Sequence, residues 1–274
     1  MKISSRHVAL VAIFATLYFV LSLISPYIPA IGIPELKIRL EALIASVFGF
    51  ILGPYLGALA AFLGAFITWI LPPGGMSPYG APFLLSPPIN ALVVGLIFYR
   101  RWKWAFALFS LLILTFLFLP PSQPITGYGQ VFDPFNSSNY YTIPIYYIPV
   151  AVLWDKVTAL FLIIPSVKFA RRLSTSRNIS ILFFLLAFIG NQADNMWGCN
   201  AFAIPLVYES IFNFPLEGVR FYFLVSPFIY PAIRIVQAVL ATIIAVPLIR
   251  TLKNTEWIIA EKPIIETAIN KQET

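Results

Sequence analysis

Apolar residues along this chain gather into runs rather than alternating with polar ones. The runs cover about 7–25, 40–53, 55–71, 83–99, 104–119, 145–167, 179–206 and 227–250. A helix needs about 20 apolar residues to cross ~30 Å of hydrocarbon, and several runs reach that length. Open sheets are excluded at that depth, because lipid offers unpaired backbone no hydrogen-bond partner. The pattern predicts an all-α integral membrane protein, a polytopic helical bundle with about eight hydrophobic segments.

Residues 40–71 are too long for one ordinary span. Gly53-Pro54 divides them, since proline removes a helix donor and clashes with the preceding turn; two short helices joined by a tight turn are predicted. Charge supports the division. With the hairpin counted as two spans, one side of the membrane receives Lys2, Arg6, Arg100, Arg101, Lys103, Lys168, Arg171, Arg172, Arg177, Arg250, Lys253, Lys262 and Lys271. The other receives only Lys37, Arg39 and Arg220, near Glu35, Glu41 and Glu217. Basic residues favour the cytoplasmic side, so the expectation is a multi-pass protein of the cell (plasma) membrane with both termini cytoplasmic. Residues 1–250 form its transmembrane substrate-binding domain and 251–274 a cytoplasmic tail. The first run, preceded by Lys2 and Arg6 and followed by Pro26 and Pro29, is read as an uncleaved span.

The outer connections are then 26–39, 72–82, 120–144 and 207–226. Prolines and glycines make the second irregular (Pro72-Pro73-Gly74-Gly75, Pro78, Gly80, Pro82). The third holds Tyr140 and Tyr141 and leads into Tyr146 and Tyr147, which suit either membrane anchoring at the interface or a lid over a ligand.

Composition sharpens the exclusions. Hydrophobic residues make up 59% of 274 positions and charged residues 11%, against about 25% charged in a soluble domain. The net charge of +7 sits at the ends of apolar runs, so it reads as a topology signal rather than a nucleic-acid surface. Cys199 is the only cysteine and His7 the only histidine; neither a disulfide, a metal cluster nor a cofactor site is expected. There is no phosphate loop, no H-E-x-x-H, no G-x-S-x-G and no histidine for a triad. The chain is expected not to be an enzyme, and energy for active transport has to come from a partner or a gradient.

The informative residues are polar ones inside the runs, each costly unless paired or facing a cavity: Glu41, Asn90, Asp155, Lys156, Asn191, Gln192, Asp194, Asn195, Asn200 and Arg234. Under the topology above they share a depth between the outer interface and the midplane, while the inner half has almost none. A channel needs polar lining throughout, so the asymmetry points to a pocket open outward and closed below. Pairing of Asp194 with Arg234 as helix glue is the plain alternative. A stripe of small residues on the first span, Ser5, Ala9, Ala12 and Thr16, lets another helix approach closely, in this chain or in a partner.

The basic start and Ala-rich first span (Arg6 to Ser25), the turn Ile51-Leu52-Gly53-Pro54-Tyr55-Leu56-Gly57, Pro88-Ile89-Asn90 opening a helix that ends in Tyr99-Arg100-Arg101, and the proline-headed last helix (Pro231 to Lys253) together resemble a substrate-capture S component of an energy-coupling factor (ECF) transporter. The resemblance covers about half of the chain. It implies capture of a vitamin or similar micronutrient from outside, and its delivery to a transmembrane T subunit driven by two ATP-binding-cassette (ABC) ATPases. It also implies docking of the T subunit on the first span, where family members carry A-x-x-x-A. Here Ser5-x-x-x-Ala9 and Ala12-x-x-x-Thr16 keep the small size but not both alanines, and eight spans stand where six are usual. The expected substrate contacts are Asp194, Asn195 and Arg234, then Asp155, Asn90 and Gln192, with Trp154 and Trp197 placed to stack a ring. The rival reading is a stand-alone secondary transporter of a small polar or aromatic solute, with Asp155 and Asp194 carrying protons. Inverted repeats would mark it, and the sequence shows none.

Overall fold

The computed structural model describes residues 4–24, 27–30, 33–39, 43–72, 74–132, 139–170 and 178–252. Among the described residues seven α-helices carry the fold: α1 (Ser5–Ile24), α2 (Ile44–Ile70), α3 (Ser86–Phe98), α4 (Trp102–Phe118), α5 (Tyr147–Lys168), α6 (Ile179–Phe202) and α7 (Leu216–Leu252). Two antiparallel hairpins lie between helices, β1–β2 (Tyr27–Ala30, Ile33–Arg39) after α1 and β3–β4 (Tyr128–Phe132, Tyr140–Pro144) before α5. Both fall in segments read from the sequence as plain connections. The chain is a polytopic, all-α membrane bundle with these short ribbons attached.

The break at Gly53-Pro54 is a full reversal of direction. Gly53 has φ 81° and ψ −179° inside an otherwise helical α2. This is a left-side conformation that glycine adopts without a steric penalty. Beyond it, a β carbon on Gly57 would lie 2.7 Å from the Phe48 carbonyl oxygen. In a continuous helix these residues would stand about 13 Å apart along the axis, so 44–52 and 54–70 are two limbs packed side by side. The first limb is only about half a membrane thick at ~1.5 Å per residue. The expected hairpin of two short helices is present.

Among the described residues, six helical stretches have the length and apolarity to cross a membrane: Ser5–Ile24, Ile44–Ile70 (only when both limbs are counted across Gly53), Ala81–Phe98, Tyr147–Lys168, Ile179–Phe202 and Tyr230–Leu252. Trp102–Phe118 is apolar but shorter. The eight segments expected from the sequence correspond to eight helical limbs among the described residues.

Close contacts fix the order. α1 packs on α2 through Leu10, Val11, Ala15, Tyr18 and Ser22. The Thr68 hydroxyl lies 3.1 Å from that of Ser22, pairing the two ends. α3 begins with Pro87 and Pro88, which the first turn tolerates because its N–H groups have no helical partner. Its Gly95 meets Pro54, and the Tyr99 hydroxyl donates to the Phe50 carbonyl at 2.7 Å. These bonds set the Gly53-Pro54 turn beside Arg100 and Arg101, at the basic end of the bundle. α6 contacts α3, α4, α5 and α7 and forms the centre.

α7 starts at Leu216, well before the predicted 227, and keeps helical form across Pro227, Pro231 and Pro247. Pro227 leaves the Phe223 carbonyl without its helical donor, and the Ser226 hydroxyl supplies one at 2.7 Å. Such side-chain repair allows proline inside membrane helices. At the hairpin end, Arg220 of α7 donates to the carbonyls of Gln123 (2.8 Å) and Gln130 (3.5 Å) and holds β3–β4 against the bundle. Desolvation lowers its pKa from the usual arginine value. Glu41 and everything beyond Leu252 lie outside the described residues.

Candidate functional site

Polar side chains of α5, α6 and α7 come together inside apolar packing. On α5, Asp155 and Lys156 are adjacent in sequence and both buried, and their side chains form an ion pair at 2.9 Å. The Asp155 carboxylate also accepts the Lys156 backbone N–H at 3.0 Å. On α6 and α7, Arg234 Nη1 approaches Asp194 Oδ2 at 3.5 Å and donates to Gln237 Oε1 at 2.9 Å. Two cations thus face two carboxylates, and these four groups sum to zero charge.

The two pairs differ in quality. Charge-assisted N–H···O bonds run about 2.7–2.9 Å, so the Asp155–Lys156 bond is tight and the Asp194–Arg234 bond is loose. Breaking a buried pair by removing one partner costs about 3–5 kcal/mol. A ligand group that offers Arg234 or Asp194 a shorter bond has less to displace there than at Asp155.

α6 presents two polar faces, as helical spacing requires of residues three and seven apart. Asn191 and Asp194 share one. Asn191 accepts a bond from Asn90 Nδ2 at 2.8 Å, and Asp194 meets Arg234. Gln192, Asn195 and Cys199 share the other, where Asn195 Oδ1 and Cys199 Sγ are 3.9 Å apart.

Several buried atoms here have no hydrogen-bond partner: Asn191 Nδ2, both amide atoms of Gln192, Asn200 Oδ1 and Arg234 Nε. An unsatisfied polar group in an apolar interior costs a few kcal/mol. Their gathering on α6 and its neighbour makes this the part of the molecule best prepared to accept bonds from a guest.

The structure separates the residues singled out in the sequence. It pairs Asp194 with Arg234 and Asp155 with Lys156, and sets Asn195 beside Cys199, with Gln192 one turn earlier on α6. Asn90 stands apart: it accepts from the Ser46 hydroxyl at 2.8 Å and donates to Asn191, so it ties α2, α3 and α6 together. Trp154 is 50% exposed on the outer surface of the bundle, away from the buried Asp155 beside it. A helix turns about 100° per residue, so neighbours in sequence look in different directions. Trp197 donates its indole N–H to the Pro82 carbonyl at 3.1 Å, and Asn200 donates to the Leu112 carbonyl at 2.9 Å. Gln237 escaped the sequence reading, although Arg234-x-x-Gln237 has the spacing of helix neighbours. Among the described residues no group of His, Cys, Asp and Glu could hold a metal ion.

Fold and site together present a helical membrane bundle with unpartnered hydrogen-bonding groups buried inside it. Residues 2–119, which run from the N-terminus to the end of α4, match the family described as ECF-type riboflavin transporter, S component. No curated protein and no solved structure matches the chain. The family match supports an ECF S component, the substrate-binding membrane component of such a transporter and not an enzyme. The polar groups of α5, α6 and α7 lie beyond the matched segment.

Proposed function

We propose that this protein captures riboflavin, or a close flavin relative, from outside the cell and passes it to a T subunit driven by two ABC ATPases. It sits in the plasma membrane with both termini cytoplasmic, and the tail after α7 is cytoplasmic. Asp194, Asn195, Arg234, Asp155 and Gln192 supply the polar contacts, and Trp197 stands at their edge. The observation that carries the reading is the concentration of unpartnered buried polar atoms on α6 and at Arg234, inside a bundle whose N-terminal part matches the riboflavin S-component family. The zero sum of the two ion pairs suits an uncharged ligand.

Docking of the T subunit falls to Ser5, Ala9, Ala12 and Thr16. All four are exposed, while Leu10, Val11, Ala15 and Tyr18 carry the packing of α1 on α2. The stripe is therefore open to another helix, which small side chains let approach closely. Mass spectrometry of the small molecules that co-purify with the protein tests the substrate assignment. A flavin in stoichiometric amount supports it, and a different stoichiometric compound overturns it.

A further inference from the structure

Gln192 is fully buried, and neither its amide oxygen nor its amide nitrogen has a hydrogen-bond partner. The other polar residues around it each hold at least one bond. Asp155 has Lys156, Asp194 has Arg234, Asn191 has Asn90, and Asn200 has the Leu112 carbonyl. Gln192 alone among them leaves a donor and an acceptor open, side by side, on the face it shares with Asn195 and Cys199. Leaving both unmade in an apolar interior is unfavourable. Rules of local consistency tend to be broken at functional sites.

An amide or imide edge offers a donor and an acceptor side by side and so satisfies both ends of a carboxamide at once. A carboxylate or phosphate supplies acceptors alone, and an ammonium supplies donors alone. We propose that Gln192 is a specificity-determining residue that reads a neutral amide or imide edge of the ligand through two parallel hydrogen bonds. This rests on the substrate reading above, since the riboflavin ring carries an imide N–H flanked by two carbonyls. Gln192 Oε1 would accept from that N–H, and Nε2 would donate to one of the carbonyls. Because the amide is sealed in this structure, the contact forms in a conformation in which the helices packed on α6 have parted.

The test combines one substitution with one change to the ligand. Wild type and Gln192→Met, an apolar near-isostere, are titrated with riboflavin and with 3-methylriboflavin, in which the imide donor is blocked. Wild type is expected to prefer riboflavin by about tenfold or more, and Gln192→Met to bind the two within a factor of about two. The melting temperature without ligand should stay level or rise in Gln192→Met, because an unpaired amide has been removed; a structural role would lower it. Undiminished discrimination in Gln192→Met, or a lowered melting temperature, overturns the contact alone. Failure of wild type to bind riboflavin overturns the substrate assignment and the contact together.

Discussion

Gly57 rests directly against Phe48, so close that a β carbon on Gly57 would lie 2.7 Å from the Phe48 carbonyl oxygen and 2.9 Å from its carbon. The obstacle is backbone, which cannot turn aside as the tip of a side chain can. Gly57→Val is therefore expected to pry the two limbs of α2 apart. Overpacking of this kind costs about 1–3 kcal/mol, and a thermal melt in detergent should show a clear fall in midpoint. An unchanged midpoint would mean the limbs do not pack as described.

Asn90 uses both ends of its amide, toward Ser46 and toward Asn191. Asn90→Ala leaves both partners buried without those bonds, at about 1–3 kcal/mol for each unsatisfied group. The expected outcome is a less stable protein whose ligand affinity stays within about threefold of wild type once folded. Melting and equilibrium titration separate the two effects. A large affinity loss at unchanged stability would return Asn90 to the binding site.

Asp194 is held to Arg234 by a loose bond of 3.5 Å. Asp194→Asn keeps the shape and removes the charge, while Arg234 keeps its bond to Gln237, so the melting temperature without ligand is expected to fall by less than loss of a tight buried pair would cause. Losing a charge-assisted bond to ligand, worth about 1.5–3 kcal/mol, weakens binding roughly 10- to 150-fold. Ligand-induced stabilisation shrinks accordingly, since it depends on concentration relative to the dissociation constant. Wild-type affinity in Asp194→Asn would remove the residue from the site. A collapsed melting temperature would make the pair helix glue.

The exposed stripe on α1 calls for a test in cells. Ala9→Trp and Ala12→Trp place a large ring where a T-subunit helix is expected to approach, on a face that is exposed among the described residues. Uptake is expected to be lost, with ligand binding by the purified protein intact. Unchanged uptake would place docking elsewhere, and loss of folding would mean the face is packed after all.

Much of the bundle was legible in the apolar runs because a membrane helix announces itself by length and composition. The Gly53-Pro54 turn was legible because only glycine and proline interrupt its run. The hairpins were not. Tyr128–Phe132 is short and includes a glycine, and its pairing with Tyr140–Pro144 depends on contacts distant in sequence. Depth along a helix grouped Asp155, Asp194 and Arg234, of which the structure pairs Asp194 with Arg234, and depth says nothing of direction. Trp154 faces outward and Asn90 toward other helices at similar depths.

Titration of the purified protein with riboflavin, followed by quenching of the flavin's own fluorescence, tests the central claim most directly. Saturable quenching at one flavin per chain, weakened at least about tenfold in Asp194→Asn, is the expected result. No saturable quenching up to about 100 μM flavin, where a bound complex would be worth only about 5.5 kcal/mol, would contradict it.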